Sequence, residues 1–184
     1  MCTWPRRRAS LREEIEHNLR DLKDAQPALK KWRDEVNADL ATLARIQENP
    51  ADENAQKASL SVAFHYINLR DTAWRTAEST GALGYMPYEE AQRYARIYQA
   101  QAELLAAQEK PNDDVAGIFG LITKFHWHGS QKITAEQAGD VAEKFGQERL
   151  HLATGDVLLQ ENIEVNQAFL DNREPKGNFE ESLH

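Results

Sequence analysis

The sequence predicts an all-α fold, an antiparallel helical bundle with two long helices and two or three shorter ones. Three observations carry that prediction. Apolar residues recur in steps of three and four over two long stretches. Residues that start and stop helices stand at the ends of those stretches. No repeat of fixed period is present, and the one cysteine, Cys2, cannot make an internal disulfide, so stability has to come from packing.

The first long helix is read from Leu11, Ile15, Leu19, Leu22, Leu29, Trp32, Val36, Leu40, Leu43 and Ile46. Ser10 with Glu13 forms a capping-box start, and Asn49-Pro50 a stop, because proline lacks a donor and restrains the residue before it. Pro27 is expected to kink or split this helix. Residues 51–70 read as a linker leading into an extended stretch, since Leu60, Val62, Phe64 and Tyr66 alternate with smaller or polar residues. Asp71 can cap a short helix that Gly81 ends in the left-handed conformation.

Pro87 suits the start of the next helix, with a stripe of Ala91, Tyr94, Tyr98, Ala102 and Leu105 closed by Pro111. Asn112 then caps a helix through Val115, Ile118, Phe119, Ile122 and Phe125. After a turn at 126–130, Thr134 and Gln137 form a second capping box before Ala138, Val141, Phe145, Leu152, Leu159, Ile163 and Leu170. The domain organisation expected is therefore a basic flank at 1–9, a single helical domain at 10–172, and a frayed acidic tail at 173–184.

Charge narrows the function classes. The chain has 184 residues and a formal net charge of −8, which argues against a nucleic-acid surface, where lysine and arginine must dominate one face. The charge runs from slightly basic before Pro50 to strongly acidic after Pro111. There is no nucleophile elbow and no phosphate-cradling loop, so no catalytic set assembles and no cofactor is expected.

Two stretches carry a resemblance: Leu11-Arg12-Glu13-Glu14-Ile15-Glu16-His17-Asn18, and Asp71-Thr72-Ala73-Trp74-Arg75-Thr76-Ala77-Glu78-Ser79-Thr80-Gly81-Ala82-Leu83 running into Met86-Pro87-Tyr88-Glu89. Together they resemble a group of bacterial proteins with no assigned reaction, in which one N-terminal transmembrane helix precedes a soluble helical domain. The resemblance implies a membrane anchor upstream of Trp4-Pro5-Arg6-Arg7-Arg8, a pattern that suits an interfacial flank. It implies the bacterial inner membrane as location; without such a helix the expectation is cytoplasmic.

Two chemical patterns stand out. Glu14-x-x-His17 and Glu148-x-x-His151 have the spacing used by carboxylate-bridged di-iron bundles, in which i and i+3 ligands aim at one ion. The competing reading is a pair of solvated helix faces, because His17 lies off the apolar stripe while Glu148 falls on it between Phe145 and Leu152. His126 and His128, with His65 or His151, could be asked for a zinc or copper site, but no third ligand stands at fixed spacing. Tyr94 and Tyr98 could line a ligand pocket, although tyrosines at helical spacing more often build a core.

The function expected is thus a non-enzymatic helical module acting on a protein partner or through self-association, with Trp32, Val36, Leu40, Trp74 and Leu83 as contact residues. The alternatives are a metal-dependent bundle oxidoreductase using Glu14, His17, Glu148 and His151, and a small-ligand sensor.

Overall fold

The computed structural model describes residues 4–127 and 131–176. The fold is an all-α bundle, and no strand occurs among the described residues. Helix α1 spans Trp4–Glu48, α2 Glu53–Gln56, α3 Thr72–Ser79, α4 Tyr88–Ala107, α5 Glu109–Lys124 and α6 Ala135–Leu170, with a 3-10 turn at Ala82–Tyr85. The long helices are α1 and α6, as the periodicity predicts.

The described residues divide into two compact units. Of the described residues, the first comprises 4–26, 67–106 and 156–176, and the second 27–66, 107–127 and 131–155. The division in α1 falls at Pro27, which sits inside a helix that continues across it. The core of the first unit gathers Leu11, Ile15, Tyr94, Ile97, Tyr98 and Val165, with Trp74, Leu83 and Phe169 packed against it. The core of the second gathers Trp32, Val36, Leu43, Ile46, Ile118, Trp127, Phe145 and Leu152, with Leu40 packed against it.

Several boundaries differ from the sequence expectation, each for a local reason. Helix α1 begins at Trp4 rather than Ser10. The Ser10 hydroxyl donates to the Arg6 carbonyl inside the helix at 3.1 Å, so it is no cap, and residues 4–9 are helical rather than a separate flank. Their arginines are engaged within the first unit, Arg7 with Thr80 and Arg8 with Glu90. Pro111 does not close α4; it lies in the first turn of α5, where a missing N–H is no loss. The buried stripe of α4 runs Tyr94, Ile97, Tyr98, Gln101 and Leu104, not through Leu105, and Phe119 of α5 is exposed.

The second capping box is present: Thr134 Oγ1 accepts from Gln137 N–H at 3.1 Å, and Gln137 Oε1 accepts from Thr134 N–H at 3.0 Å. Gly81 adopts a left-handed φ of 66°. Residues 173–176 are not frayed. The Arg173 guanidinium forks onto Glu164 at 2.6 and 3.1 Å, and Lys176 N–H donates to the same carboxylate. The rest of the tail lies outside the described residues.

Residues 58–71 are neither helix nor strand. An extended segment without a neighbouring strand leaves main-chain groups to be satisfied, and buried side-chain amides do this. Asn112 Oδ1 accepts from His65 N–H at 3.1 Å while its Nδ2 donates to His65 C=O at 2.9 Å. Asn18 holds Arg70 in the same two-point way, at 2.8 and 2.7 Å. Outside this segment, Gln56 does likewise to Ile133 in the loop before α6, at 3.0 and 2.8 Å. Each amide stands in for one residue of a missing strand. Asp39 adds a single bond from Ser61 N–H at 2.9 Å.

Candidate functional site

The two Glu-x-x-His pairs fall in different units, and each glutamate has its own surroundings. Among the described residues, no group of three or more histidine, cysteine, aspartate or glutamate side chains is placed to hold a metal ion. His128 lies outside the described residues, and His126 stands at a left-handed φ of 53° after α5.

In the first unit, Glu14 is buried on α1 and accepts three hydrogen bonds. Two come from main-chain N–H groups at the start of α3, Ala73 at 2.8 Å and Trp74 at 3.3 Å. The third comes from Tyr98 Oη at 2.7 Å. Glu14 therefore caps α3 from another helix, placing a negative charge where the helix dipole favours it. Asp71, the expected cap, makes no side-chain bond to the helix start; it pairs with Arg75 at 2.6 Å. Burial and the adjacent Glu14 carboxylate push the Tyr98 hydroxyl well above the ordinary tyrosine range. His17 is turned away from Glu14 toward Arg20 at 2.9 Å and Asp21 at 3.7 Å.

A single carboxylate thus fixes two aromatic rings. Trp74 and Tyr98 stack with centroids 4.9 Å apart and planes 15° from parallel. They line a cleft of about 420 Å³ that also meets Arg70, Arg75, Glu78 and Leu105. Behind Tyr98, a buried amide chain fills out the unit. Asn18 donates to Gln101 at 3.0 Å, Gln101 to Asn166 at 3.0 Å, and Asn166 to the Asn162 carbonyl at 2.7 Å.

In the second unit, Glu148 is fully buried on α6. Its Oε1 accepts from the Trp32 indole N–H at 2.7 Å, and its Oε2 has no hydrogen-bond partner among the described residues. Burial pushes its carboxyl up to about 7, only partly opposed by the Trp32 bond; Asp114 and Asp39 push the same way. Asp39 itself is raised to about 6, by burial first. The Trp32 ring lies 4.5 Å from the His65 ring, whose buried Nε2 is also without a hydrogen-bond partner among the described residues. His151 turns to Asp114, with Nδ1 2.5 Å from Oδ2.

The expected contact residues have internal roles. Trp32 and Val36 are buried in the second core with Leu40 against it, and Trp74 and Leu83 pack on the first. The buried indole of Trp32 is committed to Glu148, whereas Leu40, Trp74 and Leu83 are only partly buried and Trp74 lines the cleft. The functional residues that motif reading misses are Tyr98 as a partner of Glu14, Arg70, and the amides Asn18 and Gln101. Their available signal is phase: Gln101, Asn162 and Asn166 occupy core positions of helical stripes, where an amide must find partners.

Comparison with known proteins returned no matching family model, no matching curated protein and no matching solved structure.

Proposed function

We propose that this protein is a non-enzymatic helical module that works by association, with a second copy of itself or with a protein partner that offers an extended segment. One observation carries the reading. From Ala58 to Leu69 the sequence holds no charged residue, in a chain where 28% of residues are charged. Within that run Phe64 is 57% exposed and Tyr66 58%. His65 between them is clamped inward by Asn112, whereas the main-chain groups of Val62, Phe64 and Tyr66 make no hydrogen bond among the described residues. An uncharged segment with exposed aromatics and open main-chain groups is what strand addition uses. Two copies pairing antiparallel across this run would set no like charges opposite each other.

The buried polar groups support the same reading, since Glu14, Asn18, Gln56 and Asn112 are engaged in holding main chain in place. The test is light scattering on size-separated protein over a wide concentration range, comparing wild type with Phe64→Ser/Tyr66→Ser. Concentration-dependent dimer in the wild type that is lost in the variant, with helical circular dichroism unchanged, supports the proposal. Wild-type protein that stays monomeric, and whose Val62, Phe64 and Tyr66 amides exchange unprotected with and without captured partners, overturns it.

A further inference from the structure

We propose that the cleft between α3 and α4 is a binding site for a planar aromatic monocarboxylate. This inference is independent of the association reading. Every group it uses belongs to the first unit. The cleft volume of about 420 Å³ lies in the range of small-molecule sites.

Its aromatic wall is pre-formed. Glu14 accepts from the Trp74 main chain and from the Tyr98 hydroxyl, so both rings of the stack are held before any ligand arrives. A wall that needs no ordering suits a flat ring, which adds to an existing offset stack.

The charge comes from Arg70. Its N–H and C=O are both clamped by Asn18, which fixes the point from which the side chain extends into the cleft lining. The Arg70 guanidinium makes no hydrogen bond or ion pair among the described residues, whereas Arg75 is taken by Asp71. A planar guanidinium beside an aromatic wall matches a carboxylate bidentately. Glu78, one turn beyond Trp74 on α3, also lines the cleft and stands against a second negative group, which limits the ligand to a single carboxylate.

The test titrates the full chain with naphthalene carboxylate, its neutral carboxamide and naphthylmethylammonium, following the Trp74 indole resonance by NMR. The expected result is that the carboxylate binds roughly tenfold or more tightly than the carboxamide. Arg70→Gln should erase that preference while the ring contribution persists, because the Asn18 clamp holds main chain and survives the substitution. Trp74→Leu should weaken the carboxylate and the carboxamide alike. Equal affinity for carboxylate and carboxamide, a preference unchanged in Arg70→Gln, tighter binding of the ammonium probe, or no perturbation of Trp74 at millimolar carboxylate would each overturn the proposal.

Discussion

Glu14 and Glu148 occupy comparable positions, each a glutamate on a long helix, buried and followed three residues later by a histidine. Glu14 receives three donors, two of them main-chain groups at a helix start. Glu148 receives one, and its second oxygen faces neighbours that offer nothing. The difference teaches that burial alone does not define what a carboxylate does. Where donors converge, the carboxylate organises its surroundings; where they do not, burial raises the carboxyl toward neutral pH and the group becomes sensitive to pH.

The largest effect expected from this contrast is at Glu14. Glu14→Ala removes the acceptor for three donors, at about 1–3 kcal/mol for each one left buried and unpaired, so a loss of at least roughly 3 kcal/mol is expected by denaturant titration. The Trp74 and Tyr98 resonances should shift with it. A loss below about 1 kcal/mol would mean that water replaces the carboxylate and that the cap is dispensable.

At Glu148 the effect is smaller and depends on pH. The folded protein keeps this proton up to about 7 and that of Asp39 up to about 6, both above their ordinary values. As pH rises from 4 toward 8, the unfolded chain releases these protons first, so ionisation favours unfolding. Stability should be highest below about pH 4 and decline by several kcal/mol by pH 8, with Glu148 and Asp39 contributing comparably. Melting curves across that range check this, and Glu148→Gln should remove roughly half of the decline, Asp39 supplying the rest. An unchanged slope in Glu148→Gln would assign the dependence elsewhere.

The smallest effects separate the two histidines. His17→Gln touches a surface contact with Arg20 and Asp21 and should change stability by less than about 0.5 kcal/mol. His151→Gln loosens Asp114, which is 8% exposed, and should cost about 1 kcal/mol by the same denaturant measurement. Equal effects would show that the Asp114 contact contributes nothing.

Much of this fold is legible in the sequence, because helices announce themselves by phase and by their ends. The α6 stripe from Ala138 to Leu159, the Thr134–Gln137 box and the Gly81 turn all follow from side-chain period and backbone freedom. Ser10 and Asn112 misled because a side chain that can cap can equally bond elsewhere. Ser10 found a carbonyl one turn back, and Asn112 found His65. The site was legible only in part. Glu14 and Glu148 stand out by their spacing to histidines, yet the partners that define them are an indole, a phenol and two main-chain amides. Main-chain donors leave no trace in residue identity, so the capping of α3 by Glu14 could not be read from either segment alone.

The two-point amide clamps have a consequence for how freely this sequence can change. Each reads main chain, not side chain, so the clamp itself places no demand on the identity of the residue it grips, except that proline is barred at 65, 70 and 133, where an N–H is required. The demand falls entirely on the gripping residue. Aspartate or glutamate at 18, 56 or 112 keeps the shape and loses the donor, setting a carboxylate oxygen against a carbonyl. The 58–71 segment can therefore vary its side chains residue by residue, while Asn112 at its middle and Asn18 near its end, like Gln56 at Ile133, stay fixed.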